Sequence, residues 1–204
     1  MAARVAHNLK VTISDPTFYY DLNSPYAWLA AERVNHVLPR PPVWRPISFS
    51  HILKETGRLP WSLGEEREEG IAEVECRAAN RRLPDLRWPE GWPAQTIPMA
   101  GLRAATFAAE IGKSVSFSLA AFRQTFLAGR PMNDLDNVLI AGAACELHPN
   151  AIKAALKRDS IKQKLTDATN EALERGVTGV PTVAVGDELF WGDDRLEDAA
   201  AALR

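Results

Sequence analysis

Three short segments carry the residues able to do chemistry. The first, Asp21-Leu-Asn-Ser-Pro-Tyr26, puts a serine hydroxyl between a stretch of β-formers and a helix start. Unpaired N–H groups and the helix dipole favour an anion at such a place. A ligand thiolate held there would be stabilised, and the Ser24 hydroxyl would add a charge-assisted hydrogen bond. Ser24 can equally act as an N-cap alone, because serine is a preferred cap and Pro25 suits the first helical position. The second segment, Gly176-Val-Thr-Gly-Val-Pro181, sets a proline directly before a strand that ought to be central. Proline cannot donate to a ladder, so the position needs a special reason. A cis Val180–Pro181 bond would turn the N–H and C=O of Val180 towards an extended, peptide-like ligand, whereas a trans proline would simply open the strand. The third segment, Trp191-Gly-Asp-Asp-Arg195, offers two carboxylates and a guanidinium at a helix start. Asp193 or Asp194 can cap that helix, or hold a ligand ammonium while Arg195 takes a carboxylate or positions an aspartate.

The elements that must position these residues follow from pattern. Thr17 to Leu22 reads as a strand, Pro25 to Leu38 as a helix stopped by Pro39, Pro41 and Pro42, and Val43 to Ile47 as a second strand, which is a βαβ unit. From about Phe49 to Arg175 the spacing is helical. Ser62 and Glu65 predict a capping box ahead of a charged helix running towards Leu83. Val115, Leu119, Phe122 and Phe126 predict one apolar helical face. Further helices are expected through Val138 to Glu146 and, as one or two pieces, through Ala151 to Glu174, ending at Gly176. Between the early helices Leu86-Arg-Trp-Pro-Glu-Gly-Trp-Pro93 reads as a rigid loop with two indoles. The last 30 or so residues return to strand, a Gly186-Asp187 turn, strand and a helix from about Asp194 to Leu203. The economical fold is α/β: one sheet built from residues 15–48 and 176–204, with residues 49–175 inserted as an all-helical subdomain.

Composition excludes several classes of function. With 204 residues, 46% of them hydrophobic, the chain can bury a substantial core and is not a disordered one. Lys and Arg number 24 against 26 acids, so no global positive field attracts nucleic acid or a membrane surface. Met1 to Lys10 lacks the apolar run of about 7 to 15 residues that a secretory signal needs, and no later stretch reaches bilayer-spanning length, so an intracellular, cytoplasmic protein is expected. Cys76 and Cys145 are the only thiols, with no C-x-x-C, so neither a disulfide framework nor a metal site is expected. Each sits among apolar helical residues and reads as inert packing.

Together the three segments, in this order, resemble the 2-hydroxychromene-2-carboxylate isomerases and the kappa-class glutathione transferases, which belong to the DsbA-like branch of thioredoxin folds. The likeness runs through Phe18 to Ala30, Arg45-Pro-Ile, Lys54-Glu-Thr-Gly57, Leu86-Arg-Trp-Pro, Trp92-Pro with Thr96, Gly176 to Pro181, and Leu189 to Leu196. The resemblance implies glutathione as cofactor, with Ser24 supporting its thiolate and Val180, ahead of a cis Pro181, clamping its backbone. It also implies that Gly192, Asp193 and Asp194 hold the γ-glutamyl end, that Lys54 lies near the ligands, and that the protein is a homodimer. Arg58 and Gln95 depart from the pattern, since many of these isomerases carry asparagine at both positions. Both departures lie towards the second-substrate side.

The chemistry so implied is isomerisation of a small aromatic, conjugated substrate by reversible thiolate addition, with Tyr26, Trp88 and Trp92 as candidate walls and Arg58 among the pocket candidates. The same subsite can serve a glutathione transferase or peroxidase, or a binding module without turnover. Thiol-disulfide exchange is disfavoured, because Ser24-Pro-Tyr-Ala27 stands where its two cysteines would be.

Overall fold

Strand β1 (Thr17–Tyr20) is an inner strand of a four-stranded sheet ordered β2, β1, β3, β4. The computed structural model describes residues 15–204, and the Met1–Lys10 segment discussed above lies outside them. β2 (Val43–Pro46) pairs with β1 in parallel, Thr17 opposite Val43. β3 (Thr182–Val185) runs antiparallel to β1, Thr17 opposite Ala184, and β4 (Glu188–Trp191) returns antiparallel along β3 after the Gly186-Asp187 turn. One sheet is therefore built from both ends of the described chain, with helices between, as the alternation of patterns predicts.

The period of two along β1 divides the core. Phe18 and Tyr20 face one side, in a cluster with Trp28, Leu102, Phe117 and Phe122, and Tyr19 faces the other, with Ile47, Ile52, Ala168 and Ala172. The first cluster passes without a break from the sheet into the helical segment, so sheet and insertion share a core.

Several helices differ from expectation in instructive ways. Pro25 to Leu38 forms two helices, α1 (Pro25–Ala31) and α2 (Val34–Val37), separated by a turn at Glu32 and Arg33 where the Arg33 N–H bonds the Ala30 carbonyl at 3.0 Å. α3 (Phe49–Thr56) is capped by Ser48 and ends at Gly57, whose φ of 66° is the left-handed conformation glycine favours at a helix end. The Ser62–Glu65 capping box does not form. Ser62 lies in a 3₁₀ turn, Trp61–Leu63, and α4 (Arg67–Asn80) begins after Glu66 without a side-chain cap.

α5 (Met99–Glu110) and α6 (Ser114–Ala128) pack across the sheet, and α6 buries Phe122 and Phe126 of the expected face and packs Leu119 on the core, but Val115 is exposed and Phe117, Ser118, Ala121 and Thr125 complete the buried stripe. The stripe shifts because two small polar residues are satisfied inside: Ser118 Oγ pairs with Tyr20 Oη at 2.6 Å and Thr125 donates to the Ala121 carbonyl at 3.0 Å. α7 (Leu135–Ala143), α8 (Pro149–Lys157) and α9 (Asp159–Glu174) follow, and α10 (Leu196–Ala202) closes the chain. No helix among the described residues is long and apolar enough to cross a membrane.

The cysteines differ from each other. Cys145 is buried, which pushes its thiol up, whereas Cys76 is exposed because α4 turns Val74 and Ala78 inward and Cys76 outward. A thiol-reactive chromophore should therefore label one cysteine quickly in the native chain and two after unfolding. Two fast thiols in the native chain would contradict this burial.

Candidate active site

Ser24 ends the turn after β1 and caps α1, its Oγ accepting from Ala27 N–H at 3.2 Å. The same hydroxyl donates to the Val180 carbonyl at 3.3 Å across 156 residues of sequence. Val180–Pro181 is cis, and the Pro181 carbonyl accepts from Gly192 N–H at 3.0 Å, which ties the Trp191–Asp194 turn to the same point. Three segments distant in sequence thus meet at the C-terminal end of β1. They share a cavity of about 500 Å³, within the range that holds a small ligand.

The turn is fixed by a polar network that sequence reading missed. Asp21 is buried, and its two carboxylate oxygens accept N–H bonds from Asn23 and Phe49, each at 2.8 Å. The Asn23 side chain donates to the Pro93 carbonyl and accepts from Thr96, while Trp92 Nε1 donates to the Asn23 carbonyl. These bonds anchor the indole-bearing loop, whose Trp92–Pro93 bond is also cis, on the residue before Ser24.

Burial pushes the Asp21 carboxyl up to about 6, against the pull of its two N–H bonds. The folded chain holds this proton more tightly than the unfolded one. Asp21 therefore contributes stability below the ordinary carboxyl range that is lost as pH rises through about 6. Between roughly pH 4 and pH 6 the urea midpoint of the native chain should fall relative to that of Asp21→Asn. Parallel slopes for the two proteins would refute the assignment.

The other expected site residues divide. Tyr26, Arg58, Trp92, Val180, Pro181, Gly192, Asp193 and Asp194 line the cavity with Ser24, and Lys54 and Trp88 do not. Lys54 is exposed on the last turn of α3. Trp88 stands behind Trp92, ring centroids 4.6 Å apart, with its N–H donated to Glu75, so it supports the wall instead of forming it. The wall position belongs to Trp61, whose ring centroid lies 5.8 Å from Tyr26 and 5.7 Å from Trp92. Arg58 donates to the Thr178 carbonyl at 2.6 Å and lies over the Trp191 ring at 5.2 Å. A Cβ at Gly179 would come within 2.4 Å of the Trp191 indole nitrogen, so this close approach requires glycine.

Neither aspartate caps α10, whose N-cap is Arg195 without a side-chain bond. Asp193 turns inward instead. Its side chain is 1% exposed, accepts from Arg77 at 2.6 Å and pairs with Arg81. Arg77 also bonds Glu73, and Glu73 accepts from Tyr26 Oη at 2.6 Å. Burial first, and then that bond, hold the Tyr26 phenol above its ordinary range, which keeps it a protonated donor. The consequence is that Asp194, 3.7 Å from Arg77, leaves an exposed carboxylate in the cavity lining, while Asp193 anchors the turn. Arg195 pairs with Asp198 on its own helix.

A helix N-terminus at the end of β1, faced by a cis-proline segment, is the site of a thioredoxin-type fold. The chain belongs to the DSBA-like thioredoxin domain family, whose domain matches residues 17–204. Among characterised proteins it is 24% identical over 185 residues to the 2-hydroxychromene-2-carboxylate isomerase of Sphingobium xenophagum, covering 88% of this chain and 93% of that one. Its fold is similar to a solved 2-hydroxychromene-2-carboxylate isomerase, with a TM-score of 0.81 at 19% identity over 92% and 93% of the two chains. It is also similar to the cytosolic disulfide reductase DsbM of Pseudomonas aeruginosa, solved with GSH, with a TM-score of 0.60 at 16% identity over 93% and 99%. Homology supports an isomerase within this family. Neither cysteine of this chain lines the cavity.

Proposed function

We propose that this chain is a cytoplasmic, glutathione-dependent isomerase of the 2-hydroxychromene-2-carboxylate isomerase type, acting on a conjugated aromatic substrate. The observation that carries the reading is the meeting of the Ser24 hydroxyl, the α1 N-terminus and the cis Val180 backbone in one cavity. That donor set suits a tripeptide thiol. Ser24 Oγ, its hydrogen turned from the Val180 carbonyl, and the Tyr26 N–H at the start of α1 would stabilise its thiolate, and Val180 would pair with its backbone. Asp194 would hold its ammonium group, and Arg58 is placed to take a carboxylate beside Trp191. The name of DsbM's partner, GSH, and the isomerase names of the relatives support the same reading.

When bound, glutathione supplies a nucleophile that adds reversibly to a conjugated carbon and leaves once the bond has turned. The chain's own part is electrostatic. Its donors favour the ionised sulfur before any substrate arrives, and Tyr26, whose one O–H is donated to Glu73, offers the substrate the edge or face of its ring. The thiol's proton leaves for solvent. Calorimetric titration with glutathione near neutral pH, in two buffers of different ionisation enthalpy, tests this. Saturable binding with release of up to one proton is expected, followed by an isomerised product from an aromatic substrate. Binding without proton release would reduce the protein to a holding module, and no binding would remove glutathione from the reading.

A further inference from the structure

Helix α5 is buried at Gly101 and Leu102 and again from Ala104 to Ala108, and Arg103 stands between the two runs, half-buried and the one charged residue of the helix ahead of Glu110. A guanidinium drawn out of water needs an acceptor or a counter-charge. Among the described residues three arginines bury a side-chain nitrogen that meets no hydrogen-bond partner, Arg45, Arg81 and Arg103. Arg45 lies 3.9 Å from Glu171 and Arg81 pairs with Asp193, but Arg103 has no carboxylate partner among the described residues. Residues 1–14 contain no Asp or Glu that could supply one.

Arg103 lines a second cavity, of about 110 Å³, between the start of α3, α5 and α9. It shares no residue with the cavity at Ser24. Among the described residues its polar lining is three basic side chains, His51, Arg103 and Lys162, and three hydroxyls, Ser48, Thr166 and Thr169, with no carboxylate. The hydroxyls are committed: Thr166 donates to the Lys162 carbonyl at 3.1 Å, Thr169 to the Leu165 carbonyl at 2.8 Å, and Ser48 Oγ is shared with Ser50 at 3.1 Å. The basic groups are what the cavity has left to offer. Lys162 gives one bond to Asp159 at 2.8 Å, an exposed pair that leaves it two further N–H donors, and the His51 ring carries an N–H in either tautomer.

Basic groups from three helices around a small cavity, one of them without a counter-charge, suit an anion. About 110 Å³ is roughly four times the share of one water molecule in the liquid, room for a phosphoryl-sized group and well below the ~300 Å³ or more of a site for a larger organic ligand. We propose that this cavity is a subsite for a small oxyanion of the phosphate class, held by Arg103 with Lys162 and His51 beside it. A planar guanidinium matches such oxygens two at a time, and the anion offsets the unpaired cation of α5. The cavity adjoins the network that fixes Ser24, since the Ser48 N–H bonds Thr169 in its wall and the next N–H, that of Phe49, bonds Asp21. The site is independent of the glutathione reading.

The test is thermal unfolding of the full chain near neutral pH at fixed ionic strength, with inorganic phosphate, glycerol 3-phosphate or acetate exchanged for chloride. For a dissociation constant of about 1 mM, phosphate at about 10 mM should raise Tm by roughly 3–6 °C. Arg103→Met should abolish that rise, yet in chloride its Tm should equal or exceed the native one, because the variant removes an unpaired charge. Lys162→Gln should keep the fold and lose about half of the rise. A rise that survives in Arg103→Met, or that acetate reproduces, overturns the proposal, and so does a native chain whose Tm ignores phosphate. If Arg103→Met does not fold, calorimetric titration with phosphate decides: several-fold weaker binding by Lys162→Gln supports the site, and equal binding overturns it. Comparing glycerol 3-phosphate with phosphate separates an ester from the free ion as the occupant, the tighter ligand being the one the site takes.

Discussion

Replacing Ser24 by alanine is expected to remove most of the proton release that accompanies glutathione binding and to lower turnover about a hundredfold. The size follows from one lost hydrogen bond to a charged atom, about 1.5–3 kcal/mol, which raises the bound thiol by about one to two pKa units. At neutral pH that shift moves the sulfur from largely ionised to largely protonated. Stability suffers far less, because the cap to Ala27 contributes about 1 kcal/mol. Ser24→Thr separates the two roles: threonine keeps a hydroxyl and a competent cap, so it should restore proton release in large part. If Ser24→Ala released its proton as the native protein does, the hydroxyl would be a cap and the helix N-terminus alone would stabilise the sulfur.

What could be read from sequence was what is local. The cap at Ser24 follows from a serine, a proline and the strand before them, and the structure has that cap. The sheet built from two ends follows from periods of two at the termini and of 3.6 between them. Val180–Pro181 left two isomers open on sequence grounds, and the structure holds the cis one. Long-range partners were not legible. Nothing near Asp193 signals that Arg77 and Arg81, more than 110 residues earlier, would take its carboxylate inward, so capping and ligand binding looked like its natural roles. The exchange of Trp88 for Trp61 in the wall has a similar cause. Both indoles lie in turn-rich sequence, and which one faces the cavity depends on Asn23 fixing the Trp92–Pro93 loop. The failed capping box at Ser62 shows the same limit on a smaller scale, since the 3₁₀ turn keeps Trp61 packed over Gly70, where a Cβ would come within 2.2 Å of the indole.

The Asp193 clamp leads to the largest expected effect on stability. Its carboxylate is 1% exposed, whereas the side chains of Arg77 and Arg81 are 28% and 20% exposed. Removing the carboxylate leaves two partly buried guanidiniums without their shared counter-charge, and breaking a buried pair typically costs about 3–5 kcal/mol. The arginines retain a path to water, so Asp193→Ala should fall near the lower end, about 3 kcal/mol, with a drop in Tm of roughly 6–12 °C for a chain of this size. Arg81→Gln should cost less, since Arg77 still pairs with Asp193 and Glu73. The clamp also holds the turn that carries Gly192, at φ 126°, and Asp194 against the cavity. Loss of Asp193 should therefore weaken glutathione binding even below the unfolding transition, whereas proton release per glutathione bound, set by Ser24 and α1, should persist. Thermal unfolding and the two-buffer titration read these effects separately. A Tm within a degree or two of the native value would show that the two arginines are hydrated in place and that Asp193 is free to serve the ligand directly.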